Sequence, residues 1–274
     1  MTYFLGVFVF FAVIILFSLA LAQLLKQNVA CTAATACYAV VLILYLFALA
    51  GLLYAGVFAV LAAALAALIY LVFLLCKRRV NFGGLLRSPG LWALLICCLF
   101  VCWINMGRML TFWDEFSHWG LVVKNMVLGD SFGNFAGATT SFAEYPPASS
   151  LFSYFACKLT GGDTAAGTLV QAESMQCIAM SMLLITPSLR VLSRKGNQRV
   201  TVPRVLIWVT ALLLPMLIFQ NFFSSLYVDA LLGISFAHLL LCHFASPQPR
   251  SKADIIHIGA VAAFLSLKIG RAHV

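Results

Sequence analysis

A chain of 274 residues that is 64% hydrophobic and only 9% charged, with a mean hydropathy of +1.05, is not a soluble globular domain, where about half the residues are apolar and a quarter charged. Its apolar segments run for about 20 residues, the length of a membrane-spanning helix, and lack the ten-residue alternation of a transmembrane barrel. The formal net charge of +9 does not point to nucleic acid, because the basic residues sit in short loops between apolar runs. The expected fold class is all-α: a polytopic transmembrane helical bundle, multi-pass in a cell (plasma) membrane and in contact with membrane lipid.

Residues 3–25 form the first run. Its end, Ser18 to Gln23, has the small residues of a signal-peptidase site, but no basic region precedes the run and it exceeds a usual signal core, so a retained span is expected. Runs at about 31–50 and 53–76 meet at Ala50-Gly51 without a polar loop, which predicts a helical hairpin. Lys77, Arg78, Arg79 and Arg87 follow, closed by Pro89-Gly90, as the first cytoplasmic marker. A fourth span over 91–107 runs outward and ends near Arg108. Residues 108–163 then form an extracytoplasmic loop with juxtamembrane helices.

The first part of that loop, Phe112 to Met126, is the most informative stretch. On a helix, Phe112, Phe116, Trp119, Val123 and Met126 fall within about 80° of one another, a single apolar stripe. Asp114, His118 and Asn125 lie opposite, Glu115 sits at one boundary, and Ser117 and Lys124 flank the polar side. Such a helix rests on a membrane surface with its aromatic face down. Gly129 to Ser141 reads as an exposed loop. Tyr145-Pro146-Pro147 starts a short apolar helix, about 148–159, which is too short to cross and is expected to lie on the surface or to be re-entrant.

Residues 164–188 can span and lead to Arg190, Arg194, Lys195, Arg199 and Arg204. Spans at about 205–221 and 226–245 follow, then Arg250 and Lys252, and a last run at about 255–268. Residues 1–268 thus read as one transmembrane domain. This topology puts 12 of the 17 Lys and Arg on the cytoplasmic side. Seven of the eight carboxylates lie in the outer loop or in spans that face it, and a site that works with acids on the outer face is the simplest cause. Ile269-Gly270-Arg271-Ala272-His273-Val274 reads like an in-frame translation of a common sequencing adapter. It is expected to be a non-native tail on a truncated natural chain.

Most of the nine cysteines, Cys97, Cys98 and Cys102 among them, lie inside apolar runs, where they act as small hydrophobes. No His/Cys cluster has zinc spacing, and no Gly-rich phosphate loop, GxSxG or HExxH occurs. Asp114 and Glu115 are adjacent and diverge round a helix, so they cannot face each other as a glycosidase pair does. One can act as general base or metal ligand and the other as a positioning group, or both can simply solvate the helix end. His118 lies one turn after Asp114, and the pair can hold a divalent ion or share a proton. Lys124 and Arg108 are outer cations for a phosphate or snorkel to headgroups. Asp229 stands in the first turn of its span, near the outer surface. Glu173 is expected about ten residues into its span, roughly 15 Å deep, either lining a pathway or bonding a neighbour.

Together these landmarks resemble the GT-C membrane glycosyltransferases, which include the protein O-mannosyltransferases and the aminoarabinose transferases of lipid A. That family has an Asp-Glu pair just after an outward span, matched by Asp114-Glu115. It has a Pro-Pro motif opening a second juxtamembrane helix, matched by Tyr145-Pro146-Pro147, and a later outer Asp, matched by Asp229. Three spans precede the family's usual first one, an Arg often found after the Pro-Pro helix is replaced by Gln171 and Glu173, and the family's C-terminal half is missing. The resemblance implies sugar transfer from a polyprenyl-phosphate carrier to an acceptor on the outer face, with Asp114 as base or acceptor-positioning group, sometimes aided by a divalent metal. Asp114, Glu115 and Asp229 are then the catalytic candidates. His118, Lys124, Arg108, Tyr145, Pro146 and Glu173 are the binding candidates. The other reading is a transporter or flippase of a lipid-linked or charged substrate, suggested by Glu173 and Asp229 within spans.

Overall fold

The computed structural model describes residues 2–80, 82–133, 146–161, 169–193, 200–244 and 249–267. Among the described residues the chain is helical without a strand. The order is α1 (Thr2–Leu25), α2 (Val29–Leu49), α3 (Leu53–Cys76), α4 (Phe82–Leu86), α5 (Pro89–Asn105), a π-helical turn (Glu115–Trp119) and α6 (Gly120–Gly129). There follow α7 (Pro147–Leu159), α8 (Leu169–Ile185), a 3-10 segment (Thr186–Leu192), α9 (Val202–Ile218), α10 (Val228–Phe244) and α11 (Lys252–Ser266). Four helical stretches, Tyr3–Leu25, Val29–Leu49, Leu53–Cys76 and Leu169–Leu192, are long and apolar enough to cross a membrane. α5, α9 and α10 have 17 residues each, about 25 Å at 1.5 Å per residue, somewhat less than a ~30 Å hydrocarbon core. The suspected non-native tail, 269–274, lies outside the described residues.

α2 is the central post. It packs against α1, α3, α5, α7, α8, α11 and the 3-10 segment. Its first nine residues, Val29 to Cys37, are all buried and none is larger than valine, so neighbouring backbones come close. Thr32 Oγ1 donates to Ser18 O of α1 at 2.8 Å, and Asn28 caps the helix by accepting from Ala30 N–H at 3.0 Å. α3 is the opposite case, with Tyr54, Phe58, Leu65, Ile69 and Phe73 exposed on its outer side. The apolar outer face of α3 is compatible with a bundle that faces lipid.

Close approaches sort the helix ends. A Cβ on Gly6 would stand 2.5 Å from Leu159 O, so the start of α1 lies on the end of α7. A Cβ on Gly90 would meet Asn28 Oδ1 and stand 2.7 Å from Ala30 N, so the α1–α2 turn lies against the start of α5. Trp208 Nε1 donates to Ser188 Oγ at 3.1 Å, which joins the start of α9 to the 3-10 segment. Lys26, Arg87, Arg190 and Arg204 belong to the last two of these junctions, whereas the start of α1 lies at the opposite end, where Tyr3 Oη shares a hydrogen bond with Ser174 Oγ at 2.7 Å. The ends of α5 and α9 and the starts of α8 and α10 meet at the other end, which carries the candidate acidic residues.

Of the two placements expected for α7, on a surface or re-entrant, its burial counts against the first. Every residue from Ala148 to Cys157 is buried, with Phe152, Tyr154 and Phe155 fully enclosed among α1, α2, α6 and α8. A helix of 13 residues that is covered on all sides belongs to the interior of the bundle.

Candidate functional site

The site is built on two irregular stretches, residues 106–114 after α5 and 219–227 between α9 and α10. Backbone that leaves a helix inside an apolar bundle must find hydrogen-bond partners in the protein. Polar side chains from the helices supply them. Asn105 Nδ2 donates to Phe223 O at 3.2 Å and to Ser181 Oγ at 2.9 Å, and Ser181 Oγ itself donates to Phe223 O. Ser174 Oγ donates to Asn105 O at 2.6 Å and accepts from Gly107 N–H at 3.2 Å. Gly107 has φ +76°, a conformation in which only glycine is free of strain.

Glu115 is the centre of this arrangement. It is 1% exposed. Its Oε2 accepts from Thr111 N–H at 2.9 Å and Phe112 N–H at 3.0 Å, and its Oε1 accepts from Leu226 N–H at 2.9 Å. A single carboxylate therefore binds three main-chain donors and joins segments that are 111 residues apart in sequence. Ring contacts reinforce the junction: Phe112 lies 5.8 Å from Phe219 and 5.5 Å from Tyr227, centroid to centroid. Arg108 Nη2 donates to Asn221 Oδ1 at 2.6 Å, so this cation ties the same two segments together.

The inward position of Glu115 corrects the expected helical register. Gly120 N–H bonds to Glu115 O, five residues back, so the turn from Glu115 to Trp119 is π-helical and wider than an α-turn. A Cβ on Gly120 would stand 2.8 Å from Glu115 O and 2.6 Å from Leu110 Cδ1, so glycine lets the wide turn close. The register slips across it. Val123 and Met126, expected on the membrane-facing stripe, are buried against protein, whereas Phe116 on the same stripe is 51% exposed and Trp119 is half-buried. Asn125, expected on the polar side, is buried.

Asp114 starts the turn, half-buried, with no capping hydrogen bond from its side chain. Tyr227 is near it: its phenol is pushed above the ordinary value, first by burial and then by the Asp114 and Glu115 carboxylates. Asp229, three residues beyond Leu226, is exposed in the first turn of α10. Asp114 and Asp229 thus belong to the same end of the bundle. His118 is half-buried on the π-turn. Pro146 caps α7 with Pro147 at its first position, whereas Tyr145 lies outside the described residues. An expected consequence is that Asp114→Asn lowers the Tyr227 phenol toward its ordinary value, so phenolate absorbance develops at lower pH. Subtracting the titration of a Tyr227→Phe chain isolates this group, and an unmoved titration would separate Asp114 from Tyr227.

Glu173 is placed differently from the expected mid-depth. Its Oε2 accepts from Leu110 N–H at 2.9 Å, level with the connection that carries Glu115. A cavity of about 230 Å³ opens between α6, α7 and α8, lined by Glu115, Lys124, Glu173, Gln176 and apolar side chains including Leu110 and Val123. Lys124 is exposed. Asp114, His118 and Asp229 are not among the residues lining it. Among the described residues no three His, Cys, Asp or Glu side chains gather in a way that could hold a metal ion.

Asn105, Gln176 and Tyr227 were not among the sequence-derived candidates. Asn105 and Gln176 each carry an amide into an apolar helix, a signal of a polar interior. Tyr227 carries no such signal. Compared with known families, characterised proteins and solved structures, the chain matches none.

Proposed function

We propose that this chain is a membrane glycosyltransferase that moves a sugar from a polyprenyl-phosphate carrier to an acceptor on the extracytoplasmic face. The observation that carries the reading is the Glu115–Leu226 hydrogen bond, which sets Asp114 against the loop leading to Asp229. Outer placement of this end follows from the opposite end's basic turns and the positive-inside rule.

In the proposed step Asp114 takes the proton of the acceptor hydroxyl. The acceptor oxygen forms a bond to the sugar's anomeric carbon as the bond from that carbon to the phosphate oxygen breaks. The electron pair leaves with the carrier phosphate, and Lys124 is the exposed cation beside the cavity at this end. Glu115 holds the turn, and Arg108 holds the facing loop.

The test is reconstitution of the full chain with a polyprenyl phosphate bearing a radiolabelled hexose and an extract of envelope acceptors. Label leaving the lipid for a non-lipid product, with wild type and not with Asp114→Asn, supports the reading. Label that crosses the vesicle still joined to its carrier replaces it with lipid transport.

A further inference from the structure

We propose that the cavity between α6, α7 and α8 binds the headgroup of a membrane lipid that carries both a phosphate and a primary ammonium. The proposal does not need sugar transfer to occur. At about 230 Å³ the cavity falls below the ~300–1,000 Å³ of pockets that enclose drug-sized molecules. A headgroup fits this space and a whole lipid does not.

The lining is graded from rim to floor. Phe116, 51% exposed, Leu169, 40% exposed, and the exposed Lys124 form the rim. Glu115, Glu173 and Gln176 lie deeper, at 1%, 7% and 5% exposure. Glu115 has both oxygens committed to main-chain N–H groups, so it contributes charge but no open acceptor. Glu173 has Leu110 N–H as its one hydrogen-bond donor among the described residues. Gln176 Oε1 is buried with no donor among the described residues. A buried amide oxygen left without a donor is costly, and a ligand that supplies N–H groups removes that cost.

The charges select among donors. Two carboxylates on the floor favour a cation, and an ammonium with N–H groups can bond to Glu173 and the Gln176 amide together. Lys124 at the rim favours an anion close by. A phosphate joined to an ammonium by a short linker matches this order. The apolar rim of Phe116 and Leu169 matches acyl chains leaving the cavity, which points to a lipid and away from a free metabolite.

The experiment is native mass spectrometry of the full chain in detergent, titrated with dioleoyl phosphatidylethanolamine, phosphatidylcholine or phosphatidylglycerol. The ethanolamine lipid has the ammonium and its N–H groups, the choline lipid has a cation without N–H, and the glycerol lipid has hydroxyl donors without a cation. The expected result is that phosphatidylethanolamine binds about tenfold more tightly than either of the others, the scale of one charge-assisted hydrogen bond. Glu173→Gln keeps an acceptor for Leu110 N–H and is expected to erase that preference, as is Gln176→Leu. Lys124→Ala is expected to weaken all three lipids alike. Equal binding of the three lipids by wild type, or an unchanged preference in both floor variants with normal helicity by circular dichroism, overturns the proposal. Displacement of the lipid by free O-phosphoethanolamine at equal concentration overturns its assignment to a lipid. A chain that selects phosphatidylethanolamine but transfers no sugar leaves this inference standing and removes the transfer reading.

Discussion

Glu115→Ala is expected to lower the unfolding temperature of the purified chain by roughly 5–10 °C, the shift that a loss of about 3 kcal/mol produces in a chain of this size class. Three main-chain N–H groups lose their acceptor at once. Leu226 N–H is buried, and a buried donor without a partner costs about 1–3 kcal/mol. Thr111 and Phe112 are more open and can recruit water, so each adds less. Glu115→Gln is expected to fall between. Its single oxygen can serve Leu226 or the Thr111–Phe112 pair, and its NH₂ must then face donors on the other side. Thermal melts of the three chains in one detergent measure the series. An alanine chain that melts with the wild type would remove Glu115 from the framework of the site.

The second large effect falls on activity. Asp114→Asn is expected to reduce sugar transfer by about 10²- to 10⁴-fold, the usual contribution of a general base, with the melt unchanged. The substitution keeps the shape of a side chain that makes no capping hydrogen bond and lines no part of the cavity, so little structure depends on its charge. Asp229→Asn separates the two acids. Asp229 is exposed at the positive end of α10, where losing the charge costs about 0.3–1 kcal/mol of helix stability. Measuring transfer and melting on the same preparations separates a lost base from a damaged fold. Wild-type transfer by Asp114→Asn would contradict its assigned role.

The two acids of the Asp114-Glu115 pair show where sequence reading succeeds and where it stops. Runs of apolar residues located the helices well: the runs at about 31–50 and 53–76 are Val29–Leu49 and Leu53–Cys76, and the short helix after Pro146 is Pro147–Leu159. Hydrophobic length is a local property, and the chain declares it locally. The roles within the acidic turn are not local. A regular α-helical period put Glu115 at a boundary, whereas the π-turn permitted by Gly120 carries it inward to a donor on Leu226. No window of sequence around Glu115 contains Leu226.

Glu173 and α7 teach the same lesson. A span beginning at residue 164 predicts Glu173 at mid-depth, but its level is fixed by a hydrogen bond from Leu110 N–H on a different segment. The composition of Pro147–Leu159 does not say whether lipid or protein covers it. Only its neighbours α1, α2, α6 and α8 do. Asn105 and Ser181 were readable as polar residues in apolar runs, yet their shared acceptor, Phe223 O, belongs to a loop that is defined only after the bundle closes.

The acidic turn and the loop before Asp229 touch, and thiol cross-linking of Phe112→Cys with Tyr227→Cys tests this contact directly. The two rings are in contact, 5.5 Å centroid to centroid, so a flexible bifunctional thiol reagent long enough to replace both rings should join the pair within one chain. The predicted result is a peptide linking the two positions, found by mass spectrometry after proteolysis and absent from either single variant. No link in a chain that retains its wild-type melting behaviour would place the two segments apart and remove the site built from them.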